Sequence, residues 1–411
     1  MTASLPARPR KPLFWLATLA VPLVFVVIAL GAFTRLMDAG LGCPDWPTCY
    51  GHVLWPTADH HIEKANQKYH EAPVETDKTW PEQVHRLFAS ALGMISLLVF
   101  FLSLRHSQDA RLKRRLQALV ALFVMALVVK IAVKVNMPVT ATAMHDVFDI
   151  IIGLVVLGGF ALLALLGRSP RSDGQPLRLP ALIVGFVILQ GLFGMWTVTL
   201  KVWPQVVTIH LLGGFTMAAL FWLLSLRLAN RCWQLPAAAL AGLQRMKKLM
   251  IAGLAIVIVQ IALGGWTTSN YAAVACPDLP TCQGEWWPAM DFASGFNISQ
   301  GIGPSYLGGK MDNAARMAIH KAHRIGALVT TGWLLLLVLL LWRLPAAPCR
   351  RMAATLLLVL LAQVTLGLAN IVFNFPLSVA VAHNGGGALL LLTMLTLLYK
   401  THTATPVPAH D

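Results

Sequence analysis

Apolar residues run through this chain in stretches too long and too unbroken for the core of a soluble domain. Ten such runs fall near 13–33, 86–104, 116–135, 146–166, 180–199, 209–226, 249–268, 325–342, 353–373 and 381–399. A helix crossing a hydrocarbon core about 30 Å thick needs roughly 20 apolar residues, so each run predicts a membrane-spanning helix. Arg8, Arg10 and Lys11 precede the first run, as they would a secretory leader. That run is too long for a leader, and Thr34-Arg35-Leu36-Met37-Asp38 after it offers no small-residue cleavage site. The pattern therefore predicts an all-α polytopic membrane protein of ten spans.

The runs are organised by an internal repeat. Cys43-Pro-Asp-Trp-Pro-Thr-Cys49 recurs as Cys276-Pro-Asp-Leu-Pro-Thr-Cys282. Upstream, Gly31-Ala-Phe-Thr34 matches Gly264-Gly-Trp-Thr267; downstream, Glu82-Gln-Val-His85-Arg86 matches His320-Lys-Ala-His323-Arg324. Gln190 and Gly194 followed by His210 match Gln363 and Gly367 followed by His383. Matches in one order predict two tandem, pseudo-symmetric four-helix bundles, an eight-helix core spanning 1–230 and 244–411. The first half carries about 65 extra residues, roughly 106–170, read as an inserted transmembrane hairpin. Lys130 and Lys134 on one side of it, and Asp146 and Asp149 beside His145 on the other, are expected to pair and pin it.

Charge placement orients the chain. Only 12% of residues are charged, yet the formal net charge is +15. The excess lies in short loops of one side, such as Arg111-Leu112-Lys113-Arg114-Arg115, and with the N-terminus inside these are all cytoplasmic. Anionic lipid is then the partner of that charge, and nucleic acid is not needed to explain it. The cysteines agree. The pairs Cys43/Cys49 and Cys276/Cys282 fall in outside loops, and Cys232 and Cys349 stand alone in inside ones. Paired thiols on the oxidising side predict disulfides within each loop. Loop bracing and electron exchange through a thiol pair both fit.

Four histidines recur in equivalent places: His85 and His323 open the second core helix of each half, and His210 and His383 the fourth. Each half thus sets two imidazoles at one depth on two helices, as bis-histidine ligation of haem iron requires. Arg86 and Arg324 follow two of these ligands and are candidates for a propionate or for anchoring at the interface. Gly191, Gly194, Gly213, Gly214, Gly367 and Gly385 to Gly387 would let a flat macrocycle approach the backbone, or serve ordinary helix packing. Glu82 sits three residues before His85, on the same helix face, and is the candidate catalytic carboxylate, either proton acceptor or partner of a ligand. Its repeat position holds His320.

These motifs together resemble the haem A synthase family over nearly the whole chain except about 106–170. The resemblance implies oxidation of the C8 methyl of haem O to the formyl of haem A for terminal oxidases. It implies a resident b-type haem on His323 and His383, and substrate haem O between His85 and His210 with Glu82 beside it. It also implies a bacterial inner-membrane location, with both termini cytoplasmic. Haem O synthase and terminal-oxidase assembly factors would be partners, and a homo-oligomer is compatible with it. A dihaem b-type electron carrier linked to quinol explains the four histidines equally well, but neither Glu82 nor the duplicated cysteine loops. A thiol-redox or transport protein is the third reading.

Overall fold

The computed structural model describes residues 11–105, 109–136, 153, 158–159 and 178–407, apart from the side chains of 130 and 134–136. The helices are α1 (Lys11–Leu36), α2 (Asp59–Lys68), α3 (Thr76–Arg105), α4 (Ala110–Asn136), α5 (Arg178–Thr199) and α6 (Pro204–Ala229). After them come α7 (Ala237–Arg245), α8 (Lys247–Ser269), the single turn α9 (Phe292–Gly295), α10 (Asn313–Trp342), α11 (Ala347–Val372) and α12 (Leu377–Thr403). Two dipeptides, β1 (Gln234–Leu235) and β2 (Thr405–Pro406), pair in parallel at the end opposite the cysteine loops.

Nine helices among the described residues are long and apolar enough to cross a membrane, which makes this a multi-pass membrane protein. The expected tenth span, 146–166, lies largely outside the described residues, as do Asp146, Asp149, His145 and the side chains of Lys130 and Lys134. The outer faces of the spans are largely apolar: Leu98 and Phe101 on α3, Leu328 and Val329 on α10 and Leu358 on α11 are all exposed. In water such stripes would aggregate; lipid chains cover them.

α1, α3, α5 and α6 pack as a ring in which α1 touches α3 and α6, and α5 touches the same two. α8, α10, α11 and α12 pack in the same cyclic way. α1 and α6 of the first group meet α8 and α12 of the second, and one buried apolar core runs through both. At the cysteine-loop end, Arg35 reaches across this seam. Its Nη2 donates to the Thr268 carbonyl at 2.8 Å and its guanidinium lies 4.1 Å from the centre of the Tyr271 ring, while the Tyr271 hydroxyl donates to Asp38 at 2.6 Å. Further down the seam, toward the opposite end, Trp222 Nε1 donates to Thr396 at 2.7 Å. α4 lies outside the first ring against α5, where Phe123 fills the space that a Cβ at Gly185 would take.

One expectation about the helices needs correcting. α3 starts at Thr76, ahead of the apolar run near 86, and α10 starts at Asn313, ahead of the run near 325. His85 and His323 therefore lie in the third turn of their helices and do not open them. The polar segments in front are helical because hydrogen bonding, not apolarity, sustains a helix beyond the lipid. On α10 the Asp312 carboxylate caps the first turn by accepting from the Ala315 N–H at 2.9 Å.

Candidate functional site

Each of the four repeated histidines lies against a glycine of a neighbouring helix. A Cβ at Gly31 of α1 would stand 3.0 Å from Cε1 of His85, and one at Gly264 of α8 would stand 3.2 Å from Cε1 of His323. In the same way Gly194 of α5 backs His210 at 3.3 Å, and Gly367 of α11 backs His383 at 3.0 Å. The four contacts follow the repeat. Glycine is needed here for space, since any side chain would push the imidazole away from its helix partner.

The structure brings His85 and His210 together, with ring centres 6.4 Å apart and planes at 88°. His383 lies within electrostatic reach of His323 in the second group. Among the described residues, no group of three or more His, Cys, Asp or Glu side chains is placed to hold a metal ion. A pair of imidazoles suits an iron whose other four ligands come from a macrocycle. Two metal–nitrogen bonds of about 2 Å put such ring centres about 6 Å apart, so the spacing of His85 and His210 fits. The buried Nδ1 atoms of His85, His210 and His383 have no hydrogen-bond partner, which also suits a site completed by a ligand.

The glycines singled out in the sequence divide by use. Gly194 and Gly367 serve imidazoles, and Gly213 and Gly386 make room for the amides of Gln190 and Gln363. Gly191 and Gly385 alone in that set have open space before them, so only they leave backbone accessible to a flat ligand.

Above the histidines sit the two disulfide loops, built alike. Cys43 and Cys49 are bonded, as are Cys276 and Cys282, with Cα–Cα separations of 4.8 and 4.6 Å. Cys232 and Cys349 are free thiols, the first exposed and the second buried. Asp45 accepts from Thr48 and from the N–H groups of Tyr50 and Gly51. Asp278 does the same with Thr281, Gln283 and Gly284, and these bonds, that from Thr281 foremost, hold its carboxyl down at about 2.

Arginine ties each loop to the histidine helix. Arg86 Nη1 donates to the carbonyls of Asp45 and Thr48 at 2.7 and 2.8 Å, and Nη2 to that of Cys43 at 3.3 Å. Arg324 Nη1 donates to Thr281 and Nη2 to Cys276, both at 2.7 Å. Both guanidiniums are thus engaged with loop carbonyls, a use that the sequence analysis did not foresee. Glu82 is buried; one oxygen pairs with Arg86 at 2.5 Å and the other accepts from the Cys43 N–H at 3.0 Å. His320, at the equivalent position, accepts from Arg324 Nε at 3.3 Å. Gln83 and Lys321 complete the parallel by donating to the carbonyls of Val53 and Trp286 at 2.6 and 2.8 Å. Sequence reasoning missed this role for Gln83 and Lys321, although they hold matching places in the repeat.

Comparison with known proteins places this architecture. The family model described as COX15-CtaA, cytochrome oxidase assembly protein, matches residues 14–166 and 141–395. The chain belongs to the COX15-CtaA family. The two matched stretches overlap within the segment read as an insertion. A protein named "Heme A synthase" from Shewanella oneidensis is 39% identical over 94% of this chain and 96% of its own length. Proteins of the same name from Nitrosospira multiformis and Sphingopyxis alaskensis are 27% and 25% identical, covering 93% and 96% of this COX15-CtaA member.

Proposed function

We infer that this chain is a haem A synthase, an oxidoreductase that converts the C8 methyl of haem O to the formyl of haem A. The observation that carries this is the duplicated pair of glycine-backed histidines beneath a disulfide loop, in a member of this family. A dihaem carrier would need the histidines but not the buried Glu82, so that reading is not favoured.

The two sites have different tasks in this proposal. His85 and His210 hold substrate haem O, and His323 and His383 hold a resident b-type haem. One-electron transfer is what that haem supplies when bound. The glycine floors fix where the four imidazoles sit against their neighbouring helices. Oxidising a methyl carbon releases protons, and Glu82 is the acidic side chain one turn from His85 that is suited to take one up. Burial raises its pKa against the opposing pull of Arg86, which readies it for a proton, and accepting one means loosening Arg86, which also grips the first disulfide loop. Proton uptake and loop position are thereby linked in the N-terminal half. In the C-terminal half a neutral imidazole, His320, takes that place, and no fixed negative charge is lost there. Arg86 and Arg324 are loop clamps in this scheme rather than propionate partners. The Lys/Arg-rich end faces the cytoplasm in a bacterial inner membrane, with haem O synthase and oxidase assembly factors as the fitting partners.

The test is haem extraction from membranes expressing this chain together with a haem O synthase. Haem A should appear with the chain and not without it. Haem O alone in both cases would refute the assignment.

A further inference from the structure

Three of the four histidines have a glycine three residues on, and one does not. Gly213 follows His210, Gly326 follows His323 and Gly386 follows His383, but Phe88 follows His85. Each of these glycines receives a glutamine amide from the neighbouring helix, Gln190, Gln260 and Gln363 respectively, and a Cβ there would overlap that amide. Gln260 stands four residues before Gly264, the floor of His323; four residues before Gly31, the floor of His85, stands Val27. Both halves of the device are therefore missing at His85: the amide is a valine and its cradle is a phenylalanine.

The contacts grade in the same way. Gln260 Nε2 lies 3.1 Å from Nδ1 of His323 and donates to the His323 carbonyl at 3.0 Å, while its Oε1 is buried without a partner. An imidazole that ligates through Nε2 carries its proton on Nδ1, and a half-turn of the amide offers Oε1 to that proton in exchange for the bond to the His323 carbonyl. Gln363 Nε2 lies 3.5 Å from Nε2 of His383 rather than from its Nδ1, and Gln190 is seated one turn from His210. At His85 no amide reaches the ring, and the Val27 backbone is the group that faces it, as the Gln363 backbone does at His383. Nδ1 of His210 and of His383 is unbonded, but each of those rings has a cradled amide within one turn.

We propose that His85 is the labile axial ligand of the protein, and that the Gln260 amide seated on Gly326 is the positioning group that makes His323 a permanent one. A hydrogen bond to the far nitrogen of a ligating imidazole fixes its tautomer and orientation and raises its basicity. His210, His323 and His383 each have a cradled amide beside them, and that of His323 reaches Nδ1. The fourth lets one face of the substrate haem come free, as a site must that takes up haem O and releases haem A. This rests on the assignment of His85 and His210 to the substrate and of His323 and His383 to the resident haem.

The test uses the full-length protein in nanodiscs and follows haem loss to an apoprotein acceptor by absorbance. Gln260→Leu should speed loss of the resident haem by about 10–100-fold and shift its midpoint potential. Val27→Gln combined with Phe88→Gly should slow loss of haem from the N-terminal site by a similar factor and leave more of it low-spin. If the double variant does not accumulate, Gln260→Leu decides alone. Unchanged loss rates and potential would overturn the proposal. His85→Ala combined with His210→Ala separates this from the underlying assignment: if the exchanging haem survives that pair of substitutions, the assignment fails instead.

Discussion

At the scale of single residues, the loop clamps and glycine floors make the sharpest predictions. Glu82→Gln keeps size and hydrogen bonding but removes the charge that pairs with Arg86. It is expected to leave bound b-type haem unchanged, lower haem A formation sharply and let haem O or a hydroxylated intermediate accumulate, all measurable by haem chromatography. A normal haem A yield would end the catalytic assignment of Glu82. Gly264→Ala places a methyl group 3.2 Å from Cε1 of His323. Overpacking of that kind costs about 1–3 kcal/mol, so resident haem content should fall while the protein still inserts and folds. Asp278 has a folded pKa of about 2, below the ordinary carboxylate value of about 4. Its contribution to the second loop is thus complete above about pH 4 and fades as pH falls toward 2. Exchange of the Gly284 amide, corrected for its intrinsic rate, should stay constant down to pH 4 and rise below it. How legible these residues were varied with their chemistry. The pairing of His85 with His210 was legible because a polar residue repeated at one depth in apolar helices stands out. The glycines were visible, but their partners were not, because an imidazole and a macrocycle make the same demand for space.

At the scale of elements, apolar run length was enough to find the nine spans seen among the described residues, since a bilayer imposes one length on all of them. It was not enough to find their ends. The segments Thr76–Val84 and Asn313–Ala322 are polar enough to resemble loop, yet both continue the helix beyond the lipid and carry Glu82 and His320. α2 escaped for the same reason, being short and lying in the first cysteine loop. The insertion is the element whose removal tests the repeat. α4 packs against α5 on the outside of the first ring. Deleting about 106–170 with a short polar join should therefore preserve haem on His323 and His383, read as the b-type absorption band. Loss of all haem from a stably inserted protein would make the hairpin part of the core. The cysteines test the loops: non-reducing peptide mapping should recover Cys43–Cys49 and Cys276–Cys282, with Cys232 open to a thiol reagent and Cys349 protected until denaturation.

At the scale of the molecule, the repeat is followed closely in scaffold and abandoned in a few places. Floors, clamps and loops recur; Glu82 against His320 and Val27 with Phe88 against Gln260 with Gly326 do not. The seam through Arg35, Tyr271 and Asp38 joins the halves at the cysteine-loop end, where all four histidines also lie. That arrangement suits electron exchange between one site that turns over and one that does not. The division of labour is the central claim, and haem speciation in purified site variants tests it most directly. Haem extracted from the wild type made with a haem O synthase should contain haem B together with haem O or A. His85→Ala and His210→Ala should keep the haem B and lose the others, whereas His323→Ala and His383→Ala should lose haem B first. Haem B that disappears with His85→Ala and persists with His323→Ala would contradict the account.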